Sequence, residues 1–204
     1  MLVMDDSRQD SMLALLRAAQ EGDPHAFDEL VQNLEERLFR QALFLCGNAA
    51  QAEDLAQETL FTAWKRLGQF HHRCQFFTWL CGILLNLARN TSRKMAPVPI
   101  SELGESSRQE VDHLLDALVD PGESPAERVQ REERAMAIQR CLDRLPAKHR
   151  EVIQLRFFVD DSIEGIAAAL DCSIGTVKSR LFHALEKLHA MPELGRLATP
   201  KPIP

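Results

Sequence analysis

The stretch that decides the fold is LPAKHREVIQLRFFVDDSIEGIAAALDCSIGTVKSRLFHALEKL, residues 145–188. Its apolar spacing predicts two short amphipathic helices joined by a tight turn, with a third helix before them that packs against the pair. Ser162 and Ser173 are placed to N-cap the two helices, and Asp171 tolerates the left-handed backbone that a tight turn requires. The pattern predicts a helix-turn-helix, whose second helix has the size to enter a DNA major groove.

The apolar positions of this pair separate an inward face from a polar one. The side chains predicted to point inward are Ile163, Ile166, Ala167, Leu170, Val177, Leu181, Leu185 and Leu188. The preceding helix is predicted to run from Pro125 to Leu145, with Ile138 and Leu142 among its inward residues, and Pro146 suits the first turn of the helix after it. The side chains left on the other faces of the second helix are Thr176, Lys178, Ser179, Phe182 and His183.

Helical periodicity also dominates the first half of the chain. It predicts helices over residues 12–20, 24–47 and 49–68, the second beginning after Asp23 as N-cap and the third after Asn48. The inward stripe of the third helix is Ala52, Leu55, Ala56, Thr59, Ala63 and Leu67, and the opposite face exposes Asp54, Gln57, Glu58, Phe61 and Lys65. On an isolated helix such a polar face is usually only solvated.

Two motifs in this order resemble the small, extracytoplasmic-function (ECF) sigma factors of the sigma-70 family. AEDLAQETLFTAWKRLGQF (residues 52–70) followed by FFTWLCGILLNLARNTSRK (residues 76–94) resembles sigma region 2. GTVKSRLFHALEKL, after the run LP-x-x-x-R-E-V-x-x-L-R, resembles region 4, with the closest likeness to sigma-E-type members. Only about a dozen N-terminal residues and the tail after Leu188 fall outside the resemblance.

For the helix of residues 49–68, the resemblance implies docking on the coiled coil of the RNA polymerase β′ subunit. The side chains expected to make that contact are Asp54, Gln57, Glu58 and Phe61. Trp64 either adds apolar area to the same contact or anchors the core, and the sequence leaves both interpretations open.

The loop and helix that follow are expected, from the same resemblance, to read and open the promoter −10 element. An extruded base needs hydrogen bonds to its edge and stacking on its face, which the loop side chains supply. The residues expected to contact this DNA are His71, His72, Arg73, Gln75, Trp79, Asn86, Arg89, Asn90 and Arg93. Trp79 could instead be a core residue, and Arg89 and Arg93 could instead complement only the helix dipole. A metal site from His71, His72, Cys74 and Cys81 is a rival interpretation, but the spacing matches no common zinc signature.

In region 4 the resemblance implies recognition of the −35 element by the second helix of the pair. The expected contacts are Lys178, Ser179, Phe182 and His183, with Ser173 and Thr176 at phosphates near the helix N-terminus. Two positions depart from the family pattern. His183 replaces an expected arginine, which weakens the cationic contribution at neutral pH, and Gly165 replaces an expected glutamate, which lowers local helix stability.

The chain is predicted to be all-α, with two small helical domains joined by an acidic linker. The predicted bounds are residues 1–95 for region 2, 96–127 for the linker, 128–190 for region 4 and 191–204 for a disordered tail. Residues 1–95 carry a net charge of −2, residues 96–127 carry −7, and residues 128–204 carry +3. The linker is either a mimic of the nucleic-acid backbone in a basic channel or a solvated tether.

Composition narrows the function further. Five cysteines without paired spacing indicate reduced thiols, and the chain shows neither a long apolar run nor a signal peptide, so we expect a cytoplasmic protein. No catalytic constellation or cofactor motif is evident. The implied partners are core RNA polymerase, through the β′ coiled coil and the β flap, promoter DNA and an anti-sigma factor. The alternatives are a polymerase-independent helix-turn-helix regulator and a cytosolic thiol or metal sensor.

Overall fold

A computed structural model describes residues 6–92, 134 and 136–194 of the 204-residue chain. Within these residues all regular structure is helical, as the sequence predicts. No helix in this part of the chain combines the length and the apolar character that crossing a membrane requires. The predicted linker and Arg93 lie outside the described residues.

The described N-terminal domain contains five α-helices connected by short turns. Their bounds are α1 Asp6–Gln20, α2 Pro24–Gln32, α3 Glu35–Cys46, α4 Ala49–Arg66 and α5 Phe76–Ser92, with a 3₁₀ turn at Leu67–Gln69. Two predicted caps are confirmed. Asp23 accepts a hydrogen bond from the His25 N–H at 2.9 Å, and Asn48 accepts one from the Gln51 N–H at 3.0 Å. These side chains satisfy amide groups that have no partner inside their helix.

The single long helix predicted over residues 24–47 is wrong, because the structure divides it into α2 and α3. The chain turns at Asn33 and Leu34, where the Leu34 N–H bonds to the Val31 carbonyl at 2.7 Å. The break contains neither glycine nor proline, so the apolar repeat continues across it. The turn lets α2 pack on α1 while α3 packs on α4.

The core of this domain is the predicted stripe of α4, packed between α3 and α5. Every stripe residue from Ala52 to Leu67 is buried, and Thr59 satisfies its hydroxyl by donating to the Leu55 carbonyl at 2.7 Å. Trp64 is half-buried and its ring lies 5.2 Å from that of Phe27. Of the two interpretations of Trp64, the packing favours the core anchor.

The described C-terminal domain contains four α-helices and one wide turn. The helices are α6 (residues 136–143), α7 Ala147–Ile153, α8 Ile163–Ala169 and α9 Ile174–His189, and a π-helical turn, Gln154–Phe158, extends α7. Pro146 occupies the N-cap position of α7, one residue before the predicted first turn. Helix α9 packs on α7 and α8.

The helix-turn-helix of α8 and α9 is confirmed in its local detail. Ser162 accepts from the Gly165 N–H at 2.9 Å, Ser173 accepts from the Thr176 N–H at 3.1 Å, and Asp171 has a left-handed φ of 48°. Val177 and Leu181 are buried as predicted. These local interactions hold the second helix at a defined angle to the first.

Three predictions about this domain differ from the structure. Ile138 and Leu185, expected to point inward, are 41% and 38% exposed. Met191, placed in the expected disordered tail, is buried, and residues 192–194 form a helical turn with Leu194 packed on the core. Helical spacing alone cannot distinguish a core position from the wall of a surface groove, which is where Ile138 and Leu185 lie.

Candidate polymerase and promoter surfaces

The outer face of α4 presents acidic and aromatic groups together. Asp54, Gln57 and Glu58 are exposed, and the Phe61 side chain is 59% exposed. The ammonium of Lys65 lies 3.8 Å from the centroid of the Phe61 ring, which holds the ring on this face. We call these four residues, Asp54, Gln57, Glu58 and Phe61, the acidic face. It offers carboxylates to a basic partner and an apolar ring to exclude water.

The loop of residues 71–75 is held at both ends by buried aromatic rings. Phe70 and Phe76 pack edge to face with their centroids 5.4 Å apart. His71, His72 and Arg73 are exposed between them, and the His72 ring lies 4.7 Å from that of Phe70. The structure therefore brings the predicted loop side chains together on a short segment whose ends are anchored in the core.

Trp79 packs against the two phenylalanines that flank this loop. Its ring is half-buried and lies 5.3 Å from the ring of Phe70 and 5.8 Å from that of Phe76, and the Trp79 backbone N–H donates to the Gln75 carbonyl at 3.0 Å. This is the core position that the sequence left as an alternative to a stacking platform. A tryptophan that contacts the aromatic rings at both ends of the loop is well suited to hold the loop in position.

The polar side of α5 carries Asn86, Arg89 and Asn90, with Asn86 and Asn90 exposed. Arg89 is engaged by other protein groups. Its Nη1 donates to Asn86 Oδ1 at 2.8 Å and its Nε donates to Glu151 Oε1 at 2.7 Å, while Nη2 donates to Glu151 Oε2. The hydrogen bonds to Glu151 raise the pKa of Arg89 above its usual value. We call the loop of residues 71–75 and this side of α5 the −10 surface.

The outer face of α9 carries the residues predicted to read the −35 element. Lys178, Ser179 and Phe182 are exposed, Phe182 by 60%, and Ser173 and Thr176 form the N-cap, with their hydroxyl oxygens 2.8 Å apart. The structure thus places all the predicted contacts on one helix and its cap. The N-terminus of α9 also carries partial positive charge, which is suited to contact with a phosphate.

His183 belongs to a basic cluster that the sequence did not reveal. Its Nδ1 lies 3.1 Å from Glu186 Oε2 and its ring lies 6.4 Å from that of His149. Desolvation, with the nearby charges of Lys187, His183 and Arg180, lowers the pKa of His149. His149 lies on α7, 34 positions before His183, so no local pattern connects the two.

An apolar groove on the C-terminal domain was also missed. It has a volume of about 300 Å³ and is lined by Ile138, Leu142, Ile153, Phe157, Phe158, Leu185, Leu188 and Leu194. Phe157 and Phe158 are 60% and 50% exposed because the wide turn after α7 carries them away from the core.

Cys74 and Cys81 are poor candidates for reactive groups. Burial, followed by the charge of Asp161, raises the pKa of Cys74 to about 11, and burial raises that of Cys81 to about 12. Among the described residues, no group of three or more histidine, cysteine or acidic side chains is arranged to hold a metal ion. The predicted rival site at His71, His72, Cys74 and Cys81 therefore has no supporting geometry.

Comparison with known proteins matches both domains to described families. The chain matches the family described as Sigma-70 region 2 over residues 30–96 and Sigma-70, region 4 over residues 135–188. It is 33% identical to the RNA polymerase sigma-H factor of Pseudomonas aeruginosa over 178 residues, covering 85% of this chain and 90% of that protein. It is 30% identical to the ECF RNA polymerase sigma factor SigW of Bacillus subtilis over 173 residues, covering 85% and 92% of the two chains.

A solved structure agrees as well. The sigma factor RpoE of Bartonella quintana, solved in complex with the anti-sigma factor NepR, superimposes with a TM-score of 0.56 and 25% identity, covering 85% of this chain and 98% of that one. Sigma factors are non-enzymatic initiation factors that bind core RNA polymerase and direct it to promoters. The models of region 2 and region 4 match in that order along the chain, the relatives are matched over most of their length, and the fold is shared. This chain therefore belongs to the ECF group of the sigma-70 family.

Proposed function

We propose that this sigma factor divides promoter-specific initiation among three exposed surfaces. The acidic face of α4 binds the β′ coiled coil of core polymerase, the −10 surface captures and opens the −10 element, and the outer face of α9 reads the −35 element. One observation carries the proposal. On α4 and α9 the predicted contact residues are exposed or form the cap, while most of the apolar residues between them are buried.

Electrostatics supports the assignment of the acidic face. Asp54 and Glu58 are four positions apart on α4, so their carboxylates lie side by side on the same surface. Like charges at this spacing weaken a helix, and a binding partner that supplies cations removes that repulsion. The arrangement therefore favours a basic partner surface.

The test is transcription in vitro with purified core polymerase on a pool of promoter fragments. We expect defined transcripts with wild-type protein and their loss with Asp54→Arg/Glu58→Arg. The matched control is Asp28→Arg/Glu29→Arg, which makes the same charge change on exposed residues of α2. Equal loss in both variants contradicts the proposal. Specific DNA binding by the chain alone, without core, supports the polymerase-independent regulator instead.

We also propose that the apolar groove of region 4 holds the β flap of core polymerase. A groove lined by aliphatic and aromatic side chains accepts the apolar face of an amphipathic helix. Phe157→Glu places a charge at its rim and should lower transcription from −35-dependent promoters while binding to core through α4 is retained. His189→Glu, an exposed substitution at the end of α9, is the control, and equal behaviour of the two variants rejects the assignment.

We propose further that an anti-sigma factor controls this protein in the cytoplasm, where polymerase and promoters lie. The complex of RpoE with NepR supports this by analogy. Such a partner should compete with core polymerase for the acidic face or the groove. A partner that binds the chain yet leaves core binding unchanged contradicts this mode of control.

The domain bounds are proposed as residues 1–95 and 128–190, and the family matches lie close to both. The acidic linker between them lies outside the described residues. Because Met191 and Leu194 pack on the core, we place the start of the tail after residue 194. Limited proteolysis should cut first within residues 96–127, and early cutting inside α4 or α9 contradicts these bounds.

A further inference from the structure

The two domains contact each other directly, and we propose that this docked arrangement is a self-inhibited state. In it, region 4 covers part of the −10 surface and engages groups that promoter DNA needs. The inhibitory effect that we infer depends on the proposed assignment of the −10 surface. The docking itself is supported by contacts between the domains.

The first contact between the domains is that of α5 with α8. A methyl group added at Gly82, in the middle of α5, would lie 2.4 Å from the carbonyl oxygen of Ala169 in α8. Real side chains do not approach an oxygen so closely, so only glycine permits this packing. Glycine weakens a helix interior relative to alanine, which means that its presence here needs a packing reason. Contact with region 4 supplies that reason.

The second contact occupies a predicted DNA-binding group. Arg89 forms a bidentate pair with Glu151 of α7, whose side chain is buried. Bidentate arginine–carboxylate pairs are strong and geometrically specific. Arg89 is expected to grip the non-template strand, and the carboxylate takes the place that a phosphate would occupy. Binding of the strand by Arg89 therefore requires the pair with Glu151 to break.

The third contact reaches the −10 loop. The backbone N–H of Gln75 donates to Asp161 Oδ2 at 3.2 Å, while Asp161 Oδ1 accepts from the Ser162 N–H at 2.6 Å. Asp161 is buried, and Gly165 leaves room for its carboxylate, since a methyl group at Gly165 would lie 2.4 Å from Oδ1. Gly165 is one of the two departures from the family pattern, and the structure gives it a physical role in this contact.

Further polar and aromatic contacts complete the interface. Gln154 Nε2 donates to Gln41 Oε1 at 2.6 Å, and the rings of Phe44 and Phe158 lie 5.5 Å apart. Most of these interactions can be replaced by water or by charged partners, which is typical of domain interfaces that open and close. Two carboxylates of region 4 thus face a surface that is proposed to bind the polyanion DNA. Opening exposes that surface to the promoter.

Two substitutions act as wedges from opposite sides of the interface. Gly82→Ala adds a methyl group from region 2, and Ala169→Leu adds bulk from region 4. Gly68→Ala is the matched control, because a methyl group there meets nothing within 4 Å. Each full-length variant is measured by small-angle X-ray scattering for its radius of gyration and by titration for its affinity for a labelled single-stranded promoter oligonucleotide, with circular dichroism as the check on folding.

We expect the wild type and Gly68→Ala to scatter as compact particles and both wedge variants to have a larger radius. If the closed state holds about nine-tenths of the molecules, opening should tighten the apparent affinity for this DNA about tenfold. An elongated wild type, or folded wedge variants of unchanged radius, overturns the docked state. A larger radius with unchanged DNA affinity overturns the inhibition. Opened variants that bind core polymerase but not this DNA refute the proposed −10 assignment while the docked state stands, which separates the two failures.

Discussion

Two phenylalanines of nearly equal exposure lie on surfaces proposed to bind different partners. Phe61 on α4 is 59% exposed and Phe182 on α9 is 60% exposed. Since most of each ring faces solvent, replacement by alanine removes little packing from the folded chain. For Phe61 the loss includes its contact with Lys65, so we expect the free energy of unfolding to change by no more than about 1 kcal/mol in either variant.

The expected effect on binding is larger, because a partner can bury the exposed part of the ring. A phenylalanine has roughly 200 Å² of surface to bury, which leaves about 120 Å² of Phe61 available. At about 25 cal/mol per Å², complete burial contributes about 3 kcal/mol, equivalent to about a 150-fold change in Kd. We expect Phe61→Ala to weaken binding to core polymerase by about 10- to 150-fold, the lower figure for partial burial.

The assay pairs the two variants, each serving as the control for the other. Affinity for core is measured by titration, and reading of the −35 element is measured by transcription at a polymerase concentration that saturates both variants. Phe182→Ala should retain wild-type core affinity and lose transcription from −35-dependent promoters, and Phe61→Ala should show the reverse. Equal effects of both variants on core affinity would refute the reasoning, as would unchanged binding together with a large fall in melting temperature.

Three further predictions concern single groups. Asn48→Ala removes the cap bond to Gln51 and should lower the free energy of unfolding by about 1 kcal/mol in urea titrations, with Asn48→Ser restoring most of it. The raised pKa values of Cys74 and Cys81 keep both as thiols at neutral pH, so iodoacetamide should label them at least about 100-fold more slowly in the native chain than in urea, as followed by mass spectrometry. The pKa of His149 is lower in the folded chain than in the unfolded chain, so the unfolded chain binds this proton at a higher pH. This group therefore reduces stability as the pH falls from about 6.5 toward the pKa of the folded chain. His149→Asn should therefore flatten the decline of melting temperature in this range, and an unchanged slope would contradict the assignment.

Local chemistry explains which predictions from sequence hold. The caps at Asp23, Asn48, Ser162 and Ser173 and the left-handed Asp171 depend on hydrogen bonds and backbone preferences within a few residues. The apolar stripe of α4 follows from helical spacing. These features need no knowledge of distant segments, and each is present in the structure.

The errors come from features without a local signal. The break between α2 and α3 occurs at Asn33 and Leu34, where no glycine or proline interrupts the apolar repeat. Ile138 and Leu185 repeat at core spacing, yet they line a groove because no further element of the described domain covers them. Burial depends on what lies opposite a helix face, and spacing carries no information about that.

The sequence by itself determined the all-α fold, the helix-turn-helix and the family, because these follow from periodicity, capping and ordered motifs within each domain. Only the tertiary structure decided how the domains meet. Gly82 contacts Ala169 across 87 positions of chain, and Arg89 pairs with Glu151 across 62. The physical reason is that the missing side chain of a glycine and the charge of an arginine are each compatible with many neighbours. The three-dimensional packing selects one of them, and here it sets region 4 against the surface proposed to open the promoter.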